Sequence, residues 1–281
     1  MISRDIPEHW RMPCRISPLS SVLRQTGAMS SYQLEQSDDP SAAAWVARRL
    51  TGGVSTVTGT VPSDYPAYAR ICHPAPDRED RLVSWVTVAN ATGRRVHPLM
   101  QWHALVGSPD YLDMTGSLWS GKDPDRGNLV PEVLGPLCDL LGQHTPDAGS
   151  CFFCLWDGWG WPDDAGFSLA SGLQRALSRD ARHLVRVPHD RSYLLFTGPL
   201  PAALRIGWPS VSDSLRAQSP NLFWPNDRAW CVASEIDFDS TLVGGTTELV
   251  EAVLGNPAFD AWPVGPDDSL AYDADEINTF Q

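Results

Sequence analysis

The alternation of apolar and polar positions is most informative in residues 220–254. In residues 230–239 the even positions are mostly apolar, whereas the odd positions end in three carboxylates, Glu235, Asp237 and Asp239. Because successive side chains of a strand point to opposite faces, this pattern predicts a strand with one core face and one face that ends acidic. Gly244 and Gly245 then predict a turn that leads into a helix.

Other segments show the periodicity of regular elements. Apolar residues at helical spacing predict a helix over 130–141, with Pro131 in its first turn. A short helix is predicted over 41–50, capped by Asp39 or Ser41. The remaining predictions are a helix over 168–182, strands over 53–61, 82–88, 151–156 and 193–197, and a long proline-containing loop over 62–81.

These elements define the expected fold class and domain organisation. Strands, a hairpin and separate helices, without strict βαβ alternation, are typical of an α+β single domain with a mixed, largely antiparallel sheet and flanking helices. We expect residues 1–53 to form an N-terminal arm with one short helix, partly flexible, and residues 54–257 to form the globular domain. The acidic C-terminal tail, residues 258–281, is expected to pack loosely.

Composition narrows the function classes. The 281 residues are 42% apolar, which is enough for a large buried core, and 34 acidic against 21 basic residues give a formal net charge of -13. This charge disfavours general nucleic-acid and membrane-surface binding. No apolar stretch reaches the roughly 18 residues of a membrane span, and residues 1–16 lack a secretory signal pattern, so a cytoplasmic location with reduced thiols is expected.

The acidic strand and the Gly-Gly segment suggest one candidate chemistry. Neighbouring carboxylates among Glu235, Asp237 and Asp239 would lie about 6.5–7 Å apart on one strand face and could share a divalent metal ion. The backbone amides of the two glycines and Thr246 would form a phosphate seat at a helix N-terminus. A solvated strand face, a glycine turn and Thr246 as the helix N-cap explain the same pattern. The sequence favours this structural interpretation, because it specifies no general base or cationic partner.

A second candidate site follows the strand predicted over 151–156. Asp157 and Gly158 are a strong signal for a two-residue hairpin turn. Aromatic faces beside carboxylates bind cations, sugars and arginine-rich peptides. The candidate partner-binding residues are Trp156, Asp157, Trp159, Trp161, Asp163 and Asp164. In such a hairpin Trp156 and Trp159 would be cross-strand neighbours, so sheet stabilisation is the alternative interpretation, and the pattern favours it.

Two weaker patterns resemble functional motifs but fit structural roles better. Residues 116–123 come within one residue of a phosphate-loop motif, but Asp123 replaces the hydroxyl residue that would bind magnesium. Cys138, His144 and the C-x-x-C at residues 151–154 could form a zinc set, yet the apolar neighbours of the C-x-x-C favour buried core thiols.

Three passages together carry a family resemblance: YPAYARICHP at residues 65–74, RSYLLFTG at 191–198 and SPNLFWPNDRAWCVA at 219–233. They resemble a family of uncharacterised proteins of GC-rich Gram-positive bacteria, over most of the chain after about Gly53. This resemblance implies no activity. A fainter likeness, in the Trp-Asp-Gly turn and the acidic α+β pattern, is to the SUKH immunity superfamily, whose members commonly bind toxins or other proteins.

Two function hypotheses follow from the sequence. The leading one is a soluble protein-binding module whose acidic, tryptophan-rich surface engages a basic protein partner, in an immunity-like role. The alternative is a metal-dependent enzyme acting on a phosphorylated small molecule, with Glu235 and Asp237 holding the ion. No cofactor is expected apart from that divalent metal ion, and a homodimer is expected from base rates alone.

Overall fold

The computed structural model describes residues 34–110, 116–159, 184–187, 191–209 and 215–279. Its helices are α1 (Ala44–Arg49), α2 (Val57–Thr60), α3 (Trp85–Thr92), α4 (Trp102–Val106), α5 (Pro131–Leu141) and α6 (Thr247–Gly255). Its strands are β1 (Glu35–Gln36), β2 (Ala67–Cys72), β3 (Ala75–Pro76), β4 (Leu82–Val83), β5 (Cys151–Trp156), β6 (Val185–Val187), β7 (Arg191–Gly198), β8 (Gly207–Pro209), β9 (Leu215–Ala217), β10 (Leu222–Pro225), β11 (Cys231–Ala233), β12 (Ser240–Gly245) and β13 (Ala261–Val264). No helix within these ranges is long and apolar enough to cross a membrane.

Nine of the described strands form one sheet. Their order is β1-β7-β5-β10-β11-β12-β2-β13, and β6 pairs with β7 further along the edge that β1 occupies. Every neighbouring pair is antiparallel. The predicted α+β fold class, a single domain with a largely antiparallel sheet and flanking helices, is confirmed.

Both faces of the sheet are covered, because side chains alternate along its strands. On β5, Cys151, Phe153 and Leu155 join the core formed with α5 and α6. Cys154 points the other way and joins the core formed with α1. A third core, which contains Trp85, packs α3 against α4. The five cysteines that the structure describes are free and buried, so the prediction of buried core thiols at the C-x-x-C is confirmed.

Several predicted elements are confirmed close to their expected bounds. The helix expected over 130–141 is α5, and the strands expected over 151–156 and 193–197 are β5 and part of β7. The short helix expected near α1 is a 3-10 turn followed by α1 itself. The Asp39 carboxylate caps that turn, as predicted, by accepting the Ser41 N–H at 2.9 Å.

Two predicted strands are wrong, because hydroxyl caps start helices within them. In the strand expected over 53–61, Thr56 caps α2 with its side-chain oxygen. The strand expected over 82–88 keeps only the two residues of β4 before Ser84 caps α3 in the same way. Each hydroxyl satisfies an amide that the first helical turn leaves without a partner, which favours the helix over the extended chain.

The proline-containing loop expected over 62–81 is wrong in its middle part. There β2 forms a buried inner strand that pairs with β12 on one side and β13 on the other. Pro66 and Pro74 flank β2 instead of interrupting it. The amides of β2 are therefore available to both neighbouring strands.

The sheet extends past the expected domain boundaries at both ends. β1 and α1 belong to the expected N-terminal arm, yet β1 pairs with β7 and Trp45 of α1 is buried. The expectation that residues 258–281 pack loosely is wrong for the described part of that tail. There β13 pairs with β2, and Phe259, Leu270 and Asp275 are buried. Apolar and carboxylate anchors hold this segment despite its acidic composition.

A buried polar chain links the end of β2 to the hairpin of β11 and β12. His73 Nδ1 lies 2.6 Å from the Asp125 carbonyl oxygen, and Nε2 lies 2.8 Å from Thr241 Oγ1. Because a carbonyl oxygen can only accept, Nδ1 carries the proton and Nε2 accepts from Thr241. Ser234 Oγ lies 2.7 Å from that same hydroxyl. Burial lowers the pKa of His73 to about 4, so the ring is neutral at pH 7.

The buried ring of His73 makes stability depend on pH. Between its unfolded pKa of 6.5 and its folded pKa of about 4, the unfolded chain binds more protons, so stability falls as the pH is lowered. On going from about pH 7.5 to about pH 5, the wild-type protein is expected to lose about 2 kcal/mol more than His73→Gln, because the other titrating groups are common to both. Urea unfolding at both pH values measures the difference, and equal losses would contradict it.

Candidate functional site

The aromatic segment after β5 is a compact turn, and the predicted two-residue hairpin is wrong. β5 ends at Trp156, and a 3-10 turn, Asp157–Trp159, follows. The Trp156 and Trp159 rings meet edge to face with centroids 5.3 Å apart. The Trp156 backbone N–H and Trp159 Nε1 both donate to Asn221 Oδ1, at 2.9 and 3.1 Å. A side-chain amide before β10 therefore holds the turn, where the sequence predicted a returning strand.

The predicted partner-binding surface is described only in part. Trp156, Asp157 and Trp159 are half-buried and already make contacts within the chain. The other three candidate residues, Trp161, Asp163 and Asp164, lie outside the described residues. The helix expected over 168–182 lies outside them as well. Binding of a basic protein partner by this surface stays a prediction.

The acidic residues after β11 lie in a turn, so the predicted strand face is wrong. β11 ends at Ala233, and β12 begins at Ser240. Between them Glu235 Oε2 accepts the Asp237 backbone N–H at 2.6 Å, which closes the turn. The period of two that placed Glu235, Asp237 and Asp239 on one face therefore ends at Ala233.

Arg191, at the start of β7, lies between two of the three carboxylates. Its Nε donates to Glu235 Oε1 at 3.0 Å and its Nη2 to Asp237 Oδ2 at 2.6 Å. The guanidinium also lies over the Trp156 ring, with Cζ 5.9 Å from the centroid. The chain's own arginine thus fills the kind of acidic and aromatic arrangement that was predicted for a basic partner.

The three carboxylates of the predicted metal site do not form one cluster of ligands in the structure. Asp239 contacts a different arginine, with Oδ1 3.6 Å from Arg70 Nη2, and burial raises the pKa of Asp239. No group of three or more His, Cys, Asp or Glu side chains that could hold a metal ion occurs among the described residues. Arg191 already pairs with Glu235 and Asp237, and the described residues supply no third ligand beside them. Metal binding at these carboxylates stays a prediction.

The Gly-Gly segment ends a strand where the sequence predicted a turn. Gly244 and Gly245 complete β12, and a β-carbon at Gly245 would overlap the Leu249 side chain. Thr246 is the N-cap of α6, as predicted, and its Oγ1 accepts the Leu249 N–H at 3.2 Å. The backbone amide of Glu248 and the Thr246 hydroxyl lower the pKa of the Glu248 carboxyl. The first turn of α6 is therefore occupied by its own carboxylate and is by itself no phosphate seat.

Thr246 nevertheless borders a cavity that the sequence did not predict. The cavity has a volume of about 380 Å³. It lies at the end of the sheet where the β10–β11 turn, the end of β12 and the start of β2 meet. The charged and hydroxyl side chains of its wall are those of Arg48, Arg49, Asp64, Tyr65, Arg228 and Thr246. We call this cavity the arginine pocket.

Positive charge is in excess in the arginine pocket. Three arginines and one carboxylate are among the described residues of its wall. Arg49 Nη1 lies 3.5 Å from Asp64 Oδ2, and both side chains are largely exposed. Neither Arg48 nor Arg228 forms an ion pair with any residue that the structure describes. Within the described part of the chain, the guanidinium groups of Arg48 and Arg228 are therefore available to a ligand.

Local structure positions the pocket arginines. Arg48 and Arg49 occupy the last turn of α1, where cations interact favourably with the helix dipole. Arg228 lies in the β10–β11 turn, and Tyr65 Oη donates to its carbonyl oxygen at 3.1 Å. Burial raises the pKa of Tyr65, which keeps that hydroxyl protonated. The Arg228 guanidinium lies over the Trp45 ring, with Cζ 5.0 Å from the centroid.

Two features of the pocket wall are energetically unfavourable by themselves. Arg228 has φ of 58°, a left-handed conformation that is uncommon for residues other than glycine. Trp45 Nε1 is buried without a hydrogen-bond partner in the described structure, although buried donors are nearly always paired. Strained and unsatisfied groups concentrate at functional sites. Their meeting here favours a functional role for the pocket.

Apart from Thr246, no pattern in the sequence indicated this pocket. Two consecutive arginines lie near the end of the helix predicted over 41–50, but Arg228 is far from them in the sequence. Only the tertiary fold brings α1 against the β10–β11 turn. A guanidinium in a sequence carries no sign of whether a carboxylate lies beside it, so pairing could not be inferred.

No protein-family model matches the chain, and no match was found among the curated proteins or the solved structures. The resemblance of the three passages to an uncharacterised bacterial family, and the fainter one to the SUKH immunity superfamily, therefore stay predictions.

Proposed function

We propose that this protein binds a small anionic ligand in the arginine pocket. One observation carries the proposal: Arg48, Arg49 and Arg228 surround one cavity of about 380 Å³, and among the described residues only Arg49 of the three has an acidic partner. Guanidinium groups match phosphate and carboxylate geometry with paired hydrogen bonds. The volume falls in the range of small-molecule sites.

The excess of positive charge in the arginine pocket contrasts with the negative net charge of the whole chain. With a formal net charge of -13, the protein has ample carboxylates to neutralise its arginines. Arg191 shows the usual outcome, because two carboxylates neutralise it. A concave, positively charged site on an acidic protein concentrates field lines and attracts anions to one place.

The proposal is one of binding, with no reaction assigned. The pocket residues that the structure describes include neither histidine nor cysteine. Tyr65 stays protonated because burial raises its pKa, and Asp64 faces Arg49. No group in this wall combines the position and the basicity that general-base catalysis requires.

Thermal unfolding with and without inorganic phosphate tests the proposal. Phosphate at 100 times its dissociation constant adds about 2.7 kcal/mol, which shifts the midpoint of a domain this size by about 5–10 °C. Phosphate also stabilises proteins without binding a specific site. The comparison is therefore with the double variant Arg48→Gln/Arg228→Gln, which should lose the shift.

A matched control separates the pocket from the general effect of charge. Arg78 is exposed and lies outside the arginine pocket, so Arg78→Gln lowers the positive charge without altering the cavity. We expect this variant to keep the full phosphate-induced shift. Equal shifts in the wild-type protein and the double variant would count against anion binding in the pocket.

A further inference from the structure

We infer that the ligand of the arginine pocket is a phosphate monoester that carries a planar organic group. This inference rests on the proposed function, since it assigns a chemical class to the ligand of the same pocket. Three properties of the pocket lead to it: its net charge, its volume and the residues of its wall that bear no charge.

The charge of the pocket matches a dianion. Its described wall holds three arginines and one carboxylate, a net positive charge of two. A phosphate monoester carries about -1.5 to -2 at pH 7 and offers three strong acceptor oxygens. A monocarboxylate would leave one guanidinium uncompensated. Arg48 and Arg228, which have no acidic partner in the described structure, would each donate to phosphate oxygens.

The volume of the pocket exceeds that of inorganic phosphate. At the roughly 30 Å³ that one water molecule occupies in the liquid, a cavity of about 380 Å³ has room for about a dozen water-sized groups. Inorganic phosphate alone would fill less than half of this space. The remainder corresponds to an organic group about the size of a single ring.

The uncharged part of the wall is suited to a flat group. Tyr65, Pro66 and Ala229 line the cavity beside the arginines. The Tyr65 ring is half-buried, and its hydroxyl donates to the Arg228 carbonyl oxygen at 3.1 Å, which restrains the side chain. An aromatic face of this kind favours stacking with a planar partner. Trp45 is 6% exposed, and its ring lies against the Arg228 guanidinium.

Asp64 limits the affinity of the pocket for anions. It is the only carboxylate among the described residues of the wall, and it faces Arg49 at 3.5 Å. An anionic ligand is repelled by Asp64 and competes with it for Arg49. Asp64→Asn removes one negative charge at constant side-chain size, so it should strengthen anion binding, whereas loss of Arg228 should weaken it.

Calorimetric titration of the wild-type protein with three probes tests the ligand class. Phenyl phosphate combines the dianion with a planar ring, inorganic phosphate lacks the ring, and benzoate lacks the second charge. We expect phenyl phosphate to bind at least about tenfold more tightly than either of the other two. Equal affinity of benzoate would overturn the dianion, and equal affinity of inorganic phosphate would overturn the planar group.

Titration of three variants with phenyl phosphate locates the binding. Arg228→Gln should weaken it by about tenfold or more, Asp64→Asn should strengthen it about threefold, and Arg78→Gln should leave it unchanged. All three side chains are exposed, and circular dichroism would confirm that each variant folds. If a variant fails to fold, the three-probe comparison on the wild-type protein still decides the inference.

The outcomes separate this inference from the proposed function. If the three probes bind with similar affinity and the double variant Arg48→Gln/Arg228→Gln loses all of them, the pocket binds anions but the phosphate monoester assignment is wrong. If none of the probes binds, or if the double variant binds them unchanged, both the inference and the proposed function are wrong.

Discussion

Replacement of Arg70 by methionine is expected to lower the free energy of unfolding by about 3–5 kcal/mol. Arg70 is 1% exposed at the centre of β2. Its Nε donates to Ser240 Oγ at 2.9 Å, and its Nη1 donates to the carbonyl oxygens of Pro98 and Met100 at 3.1 and 2.8 Å. Methionine has a similar apolar length but no donor, so all these acceptors would stay buried without partners.

The charge of Asp239 adds to the effect of losing Arg70. Asp239 Oδ1 lies 3.6 Å from Arg70 Nη2, and burial raises the pKa of Asp239 even with the cation present. The double variant Arg70→Met/Asp239→Asn should therefore lose less stability than the sum of the two single variants. Urea unfolding of the four proteins measures this coupling. A loss below about 1 kcal/mol for Arg70→Met would contradict the buried network.

Replacement of Asp275 by alanine is expected to cost about 3–4 kcal/mol of unfolding free energy. The Asp275 carboxylate accepts a hydrogen bond from His97 Nε2 at 2.8 Å. It also accepts hydrogen bonds from three backbone N–H groups, those of Gln101 at 3.2 Å, Ile277 at 3.0 Å and Asn278 at 2.8 Å. Although burial raises it, hydrogen bonds from His97 and Asn278 hold the pKa of Asp275 below its usual value. Alanine would leave these donors without an acceptor.

An exposed neighbour provides the control for Asp275. Asp273 lies two residues earlier and is exposed, so Asp273→Ala should change stability by less than about 0.5 kcal/mol. Limited proteolysis adds a local readout, because release of the C-terminal segment from α4 should make it cleavable only in Asp275→Ala. Equal stability of the two alanine variants would show that the tail is not anchored by this carboxylate.

Elements with strong local signals were predictable from the sequence. α5 combines apolar residues at helical spacing with Pro131 at its first position, and β5 is an apolar run of strand length. For both, local preference and tertiary burial agree. The largely antiparallel main sheet and the α+β class could be inferred from such segments because they supply the core of the domain.

Elements set by distant contacts were not predictable. α2 lies in a segment, residues 53–61, that is rich in valine and threonine like a strand. Backbone oxygens of Pro266 and Asp268 accept the Thr58 and Val57 amides. The start of α3 is fixed by Asp260, whose Oδ2 accepts the Trp85 N–H at 2.7 Å. These partners belong to the C-terminal segment, where the sequence showed only acidic composition. The alternation of residue types indicates only a local preference, and contacts with this distant segment determined the structure instead.

The candidate site also has a part that was predictable from local sequence and a part that depends on distant contacts. Thr246 was predicted as a helix N-cap and as part of a phosphate seat, because a hydroxyl residue after a Gly-Gly pair is a local signal. The charges that make the pocket attractive to an anion come from Arg48 and Arg228, which meet only in the folded chain. Likewise the predicted acidic strand face is wrong because Glu235 and Asp237 lie in the turn between β11 and β12, where both carboxylates pair with the distant Arg191.

The most direct test of the arginine pocket follows the arginine Nε–H signals by proton–nitrogen NMR during titration with phenyl phosphate. Signals are assigned by their loss in Arg48→Gln, Arg228→Gln and Arg191→Gln. We expect saturable shifts for Arg48 and Arg228, and none for Arg191, which is already held by two carboxylates. Unmoved signals of Arg48 and Arg228 at saturating phenyl phosphate would contradict the assignment of the pocket as an anion site.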